Sequence, residues 1–303
     1  MKLYIEKPSL PLPLQGKAGN GKATVEEILS SIPTVWDNTM RGMLSCPAKL
    51  LMFLRGFDYV TTPEPLLFGR LWGRLVQLYL LHDKVEFALS ALKEEENGET
   101  AYFDELTTLI TQYANYWDST SLKLIKDEVG FTLPILPQSE TFLIGGSFDS
   151  VVEYCGKVFI KEDKVTSGYL TDNYVKSYNF SPQLLAYYYA GMVGLNNFSG
   201  IILDLTTRKS VKDSPEFIRK IISFSSEELH NFMLSFALDM ERVKEIWKRG
   251  VFPKFYGQGC TRAFGSFGCQ YMVFCESGLP IETVPPESFG FTYRKEKWGA
   301  WLR

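Results

Sequence analysis

Two strand-like runs separated by Cys155-Gly156 constrain this chain more than any other feature. Residues 141–154 read TFLIGGSFDSVVEY and residues 157–166 read KVFIKEDKVT, both rich in β-branched and aromatic side chains. A two-residue connection with glycine in second place is a hairpin signal. Counting outwards from that turn, Tyr154 faces Lys157 and Asp149 faces Glu162. Carboxylates placed directly opposite each other repel. A hard divalent cation such as Mg²⁺ or Mn²⁺, which favours oxygen ligands, would relieve that repulsion. Lys164 lies two residues after Glu162 and so projects to the same face. An ammonium there can orient a water and stabilise charge developing on a phosphate. The plain alternative is a solvent-facing Asp–Glu–Lys set on an edge hairpin.

The hairpin sits between helical regions. Thr24 followed by Glu27 reads as an N-cap. Residues 37–56 and 64–82 have amphipathic helical spacing, the first interrupted at Pro47. Acidic helices are expected over 84–97 and 100–127. Beyond the hairpin, Ser181-Pro182 opens a helix over 181–193. Strands are expected at 199–206 and 216–223, and a long helix at 225–248. The reading is an α+β (α/β) chain with a small mixed central sheet flanked by helices. Its expected parts are an extended arm (1–23), an N-terminal helical region (24–130), a core carrying the hairpin (131–224), and a C-terminal helix with a cysteine-bearing tail (225–303).

Composition narrows the class. Hydrophobic residues make up 45% and charged residues 22% of 303, enough for a substantial core. No apolar run is long enough to span a membrane. The first residues, MKLYIEKPSLPLPLQGK, place Glu6 and prolines where a secretory signal needs an apolar core, so a cytoplasmic protein is expected. Net charge is −3, but residues 83–128 hold four lysines against eleven acids, a local −7 that leaves +4 elsewhere. Basic surface gathered away from that segment could form a nucleic-acid groove. The stretch GKAGNGKAT approaches a phosphate-binding loop, but Ala23 stands where a hydroxyl is needed, so nucleotide binding is not expected.

Gln183 and Tyr187 lie four apart on the helix after the hairpin and share a face. The succession GGSFDSVVEY, GKVFIKEDKVTSG and SPQLLAYYYA resembles the PD-(D/E)XK nuclease superfamily, in its RecB/AddB-like exonuclease branch. The resemblance covers roughly residues 37–280 and implies a restriction-endonuclease-like core. It implies Asp149 and Glu162 as ligands of Mg²⁺ or Mn²⁺, with the backbone carbonyl of Asp163 as a further ligand while its side chain points away. It implies Lys164 as the catalytic lysine, Gln183 as the holder of the water, and Tyr187 as a contact to the phosphate. The branch usually carries Gly-x-x-x-His on an earlier helix. In LLFGRLWGRLVQLY, Gly69 fits but Gly73 replaces the histidine. His82 is nine residues further on and on the opposite helix face. Arg70 and Arg74 on this helix are candidates for the DNA backbone, or for a solvated face.

Five cysteines, an odd number, argue against a disulfide framework. Cys46 lies in SCPAK, and Cys260, Cys269 and Cys275 cluster more than 200 residues later. Paired zinc-ribbon spacing is absent. Four thiolates suit an iron–sulfur cluster, and four independent buried cysteines are the alternative. Several nucleases of the resembled branch hold a 4Fe–4S cluster with one early and three late cysteines, which implies the same four ligands here, with Cys155 left as a free thiol.

The expected activity is a metal-dependent DNA exonuclease acting on single strands or strand ends, with Phe264 and Phe267 as candidates for base stacking. The resemblance also implies a partner protein of recombination, repair or CRISPR adaptation. A nuclease-fold DNA-binding or assembly protein with weak or no catalysis, and a zinc-stapled structural domain, are the other readings.

Overall fold

A computed structural model describes residues 24–98, 102–117, 122–135, 142–208, 214–255, 260, 269–294 and 298–299. The expected arm at 1–23, Phe264 and Phe267 lie outside the described residues.

Short-range chemistry sets the element ends. Helix α1 (Val25–Ser30) starts on a capping box in which Thr24 and Glu27 exchange side-chain-to-backbone hydrogen bonds. Pro47 ends one helix and begins the next, giving α2 (Asn38–Met43) and α3 (Pro47–Leu54) where one interrupted helix is expected. Helix α4 (Glu64–His82) spans the expected residues, followed by α5 (Val85–Glu95) and α6 (Phe103–Tyr116). Between β1 (Val35–Trp36) and β2 (Phe57–Tyr59), α2 and α3 fill the chain.

The expected acidic helix over 100–127 is shorter than its charge pattern suggests. It stops at Tyr116, and β3 (Lys123–Pro134) takes up Lys123–Asp127. The lysines and acids of KLIKDEV lie on a sheet margin, where charge is well tolerated, and they mask the alternation that marks a strand. The expected boundary at residue 130 therefore falls inside β3.

The hairpin forms as its sequence dictates. Strands β4 (Leu143–Tyr154) and β5 (Lys157–Thr166) are antiparallel, with Tyr154 opposite Lys157. Cys155 (φ 50°) and Gly156 (φ 72°) both adopt the left-handed conformation that a tight hairpin turn needs. Helices α7 (Asp172–Ser177) and α8 (Pro182–Gly194) then carry the chain across to β6 (Phe198–Thr207), which runs parallel to β5. Strand β7 (Phe217–Ile222) closes that side antiparallel to β6.

The result is a mixed sheet flanked by helices. Strand β3 occupies one margin of β4 along its length, so β1 and β5 must share the other. Strand β1 takes Leu143 and Ile144, and the β5 ladder covers only Ser150 to Tyr154. Strands β4 and β5 thus part company immediately beyond the Ser150–Lys161 pair.

Side chains alternate between two apolar layers. Ile160, Ile201 and Leu203 join the main core with α8 and with α9 (Ser226–Arg249). Phe159 and Ile202 meet Leu80 of α4 on the other face. The tail returns to the N-terminal helices through α10 (Met272–Glu276) and β8 (Phe291–Tyr293), which pairs with β2. Tyr271 Oη donates to the Phe57 carbonyl at 3.1 Å, and Trp298 Nε1 to Asp37 Oδ2 at 2.6 Å. No helix among the described residues is long and apolar enough to cross a membrane.

Candidate active site

The divergence of β4 and β5 places the two acids. Asp149 and Glu162 occupy the first positions past the last ladder pair. There a side chain replaces the missing strand contact: the Asp163 N–H donates to Asp149 Oδ2 at 3.2 Å. Glu162 Oε1 accepts from Lys164 Nζ and, at 3.1 Å, from Gln183 Nε2. Gln183 Nε2 also donates to Tyr187 Oη at 2.7 Å. The four-residue spacing on α8 therefore brings Gln183 and Tyr187 onto the acid cluster, with Ser181 capping the helix immediately before them. Glu162 is 1% exposed, yet its Oε2 is buried with no hydrogen-bond partner.

The electrostatics follow from burial and crowding. Burial, then the charge of Glu162, pushes the Asp149 carboxyl up to about 7, against the pull of Lys164, the Asp163 N–H and Lys161. Burial works to lower the Lys164 ammonium, but Glu162 and Asp149 outweigh it and raise it. Burial, with the same two carboxylates, lifts Tyr187 well above its ordinary value, so it stays a neutral phenol that can donate a hydrogen bond. Two acids share one lysine, and one carboxylate oxygen is left without a donor. That donor set fits a hard cation.

Asp163 turns the other way. Its carboxylate meets Lys161 Nζ at 2.5 Å, and Lys161 lies 3.4 Å from Asp204. Arg219 grips Asp204 through Nε and Nη2, both at 2.7 Å, and Tyr113 Oη donates to Asp204 Oδ2 at 2.6 Å. Burial and the charge of Asp204 push Asp163 up to about 6 despite Lys161. Asp204 itself is lowered, because Lys161 and Arg219 outweigh burial. Sequence reasoning assigned no role to Lys161, Asp204 or Tyr113. The available signal was a single acid inside the apolar run IILDLT, since a buried charge needs a partner.

Helix α4 reaches the β4 backbone beside the site. Gln77 Nε2 donates to the Asp149 carbonyl at 3.0 Å. Arg70 is bidentate to Glu96 (2.6 and 2.9 Å) and Arg74 to Glu95 (2.8 and 2.6 Å), with Asp127 3.5 Å from Arg74. The two arginines thus bind α5 rather than projecting unpaired. A Cβ built on Gly73 meets nothing within 4 Å.

The tail brings cysteines from both ends of the chain into one neighbourhood. Cys46 Sγ accepts from the Phe255 N–H at 3.4 Å, and Cys260 Sγ donates to the Phe255 carbonyl at 3.3 Å. Burial raises the thiols of Cys269 and Cys275, and both also feel Cys46 and Cys260. Among the described residues, no group of three or more His, Cys, Asp or Glu side chains is arranged to hold a metal ion. Cys155 is exposed in the hairpin turn.

No protein-family model matches the chain, and no curated protein matches it significantly. Among solved structures, it is similar to a protein from Eubacterium rectale described as a "putative exonuclease". The identity is 14% over 73% of this chain and 84% of that one, with a TM-score of 0.49. It is also similar to the protein SSO0001, at 14% identity over 84% of this chain and 93% of that one, with a TM-score of 0.34.

Proposed function

We propose that this chain is a metal-dependent nuclease that hydrolyses phosphodiester bonds in DNA, acting on single strands or strand ends as an exonuclease. The observation that carries the reading is the pairing of half-buried Asp149 with buried Glu162 where β4 and β5 separate, with Lys164 beside Glu162 and Glu162 Oε2 lacking a donor. Asp149, Glu162 and the Asp163 carbonyl would hold Mg²⁺ or Mn²⁺. Such an ion supplies Lewis acidity towards a phosphodiester and an acidified water. Lys164 then neutralises charge building on the phosphate oxygens. Gln183 already donates through Nε2, so its carbonyl end is the acceptor that would orient an attacking water. The neutral Tyr187 phenol is a donor towards a phosphate oxygen.

The test is degradation of end-labelled DNA with Mn²⁺ by the wild type and by Lys164→Ala. Loss of degradation in the variant supports the assignment, and equal rates overturn it.

A 4Fe–4S cluster on Cys46, Cys260, Cys269 and Cys275 is proposed as a structural staple, outside the hydrolytic chemistry. The shared hydrogen bonding of Cys46 and Cys260 to Phe255, with Cys269 and Cys275 feeling both of those cysteines, supports it; among the described residues the four do not form a ligating set. A cross-link between ends of the chain so far apart would lower the entropy of the unfolded state. Iron and labile sulfide in anaerobically purified protein test it, and zinc in their place would favour the zinc-stapled reading.

A second reading keeps the fold for DNA binding or complex assembly, with catalysis weak or lost. Gly73, and the engagement of Arg70 and Arg74 by Glu96 and Glu95, favour it. DNA binding unaffected by Asp149→Ala, with no cleavage in any divalent ion, would select this alternative.

A further inference from the structure

The face of the sheet opposite Glu162 and Lys164 carries a row of charges that the hydrolytic chemistry does not use. Asp163, Asp204 and Arg219 occupy aligned positions on β5, β6 and β7. Lys161 Nζ reaches both Asp163 carboxylate oxygens at 2.5 Å and stands 3.4 Å from Asp204 Oδ2. Arg219 and Tyr113 complete the contacts of Asp204. The Lys161 side chain is 0% exposed, and those of Asp163 and Asp204 are each 1% exposed. An ion network this deeply buried is a poor stabiliser, because apolar side chains of similar volume often serve a fold as well or better. Its arrangement is explained by what it holds in place.

What it holds is the Asp163 main chain. The Asp163 N–H donates to Asp149 Oδ2 at 3.2 Å, so it points towards β4. Within a strand the N–H and carbonyl of one residue project to the same side, so the Asp163 carbonyl points that way too. The β4–β5 ladder has already ended at Ser150–Lys161, and β6 lies on the other side of β5. Strand pairing therefore does not fix the direction of these two groups. The Asp163 carboxylate, clamped by Lys161 through both oxygens, does. Asp163 thus touches the first acid of the site in front of the sheet and the charged row behind it.

We propose that Lys161 is a positioning residue for the site. By clamping the Asp163 carboxylate behind the sheet, it aims the Asp163 N–H at Asp149 and the Asp163 carbonyl towards a divalent cation held there. Asp204, gripped by Arg219, keeps the Lys161 ammonium over Asp163. The part that concerns the cation rests on the metal-dependent reading above; the part that concerns the N–H stands without it. Groups that orient a metal ligand from behind commonly change metal affinity 10- to 100-fold when they are removed.

The experiment measures, in full-length protein, the hydrogen exchange of the amide at position 163 by NMR in EDTA, and Mn²⁺ binding by isothermal titration. Lys161→Met/Asp163→Leu removes the clamp and both of its charges together, so the net charge behind the sheet is unchanged and Asp204 keeps Arg219 and Tyr113. Asp163→Asn keeps an acceptor for Lys161. In the double variant the amide should exchange about tenfold faster or more, as loss of a hydrogen bond to a carboxylate implies, and Mn²⁺ should bind about tenfold more weakly. A denaturant midpoint near that of the wild type shows that the fold is kept. Asp163→Asn should stay closer to the wild type than to the double variant in both measurements. A folded double variant with wild-type exchange and wild-type Mn²⁺ affinity overturns the proposal. If the double variant does not fold, Asp163→Ala takes its place, and equal exchange in Asp163→Ala and Asp163→Asn overturns it. A wild type whose amide is protected by the clamp but which binds no Mn²⁺ supports the positioning of the N–H and overturns the metal-dependent reading.

Discussion

The Asp163 N–H donates to Asp149 Oδ2 at 3.2 Å, at the point where the ladder between their strands has ended. One main-chain donor thereby holds the first acid against the strand that bears the second.

Lys164 is the sole lysine or arginine whose side chain is recorded in contact with Glu162 among the described residues. Lys164→Met should lower DNA cleavage by about 100-fold or more, as loss of one donor to a developing anion does elsewhere. Single-turnover assays on end-labelled DNA check this, with circular dichroism to establish that the variant is folded.

The raised carboxyl of Asp149 has a defined consequence for metal-free protein. Its folded value of about 7 lies above the ordinary 3.8, so the folded state binds more protons than the unfolded state between those limits. Stability on this account is present below pH 4 and is lost as pH rises towards 7, by at most about 1.4 kcal/mol per pH unit. Asp163, pushed up to about 6, adds in the same direction, and Asp204, which is lowered, opposes it in the acid range. Urea unfolding of apo-protein between pH 5 and 8 should show a downward slope that Asp149→Asn reduces. A slope unchanged by that substitution would contradict the assignment.

Gly73 sits inside α4 with open space around its missing side chain. Gly73→Ala should stabilise the fold by about 1 kcal/mol, the difference in helix propensity, as read from chemical denaturation. Gly73→His places an imidazole one turn before Gln77, which touches the Asp149 carbonyl. It should tighten Mn²⁺ binding in isothermal titration relative to Gly73→Ala.

Lys161 is fully buried between Asp163 and Asp204. Lys161→Met strands two buried carboxylates with fewer partners and should cost about 3–5 kcal/mol of stability. Arg219→Lys, which keeps the charge but loses the bidentate grip on Asp204, should cost less. Denaturant midpoints of the two variants test that order.

The part of the site that is local in sequence is also the part that sequence reasoning reaches. The turn at Cys155-Gly156 sets the register as far as Ser150–Lys161 and so puts Asp149 and Glu162 one position beyond it; the i, i+4 spacing of Gln183 and Tyr187 needs only a helix. Reading fails where charge hides a strand, as in Lys123–Asp127, and where the partner of a side chain is remote. Arg70 and Arg74 read as candidates for DNA contact because Glu95 and Glu96, on another helix, cannot be paired with them from spacing alone.

By itself, then, the order of residues determined the hairpin, the capped start of α1, and the succession of acid, acid, lysine, glutamine and tyrosine. Each depends on interactions within a few residues, which propensity, turn chemistry and periodicity describe. Tertiary structure decided that β1 claims the margin of β4 and so parts it from β5. It also joined Tyr113 to Asp204 across 91 residues, and seated β8 on β2. Such contacts exist only once a collapsed core has repaid the entropy of closing long loops, and no local pattern records which distant partners will meet.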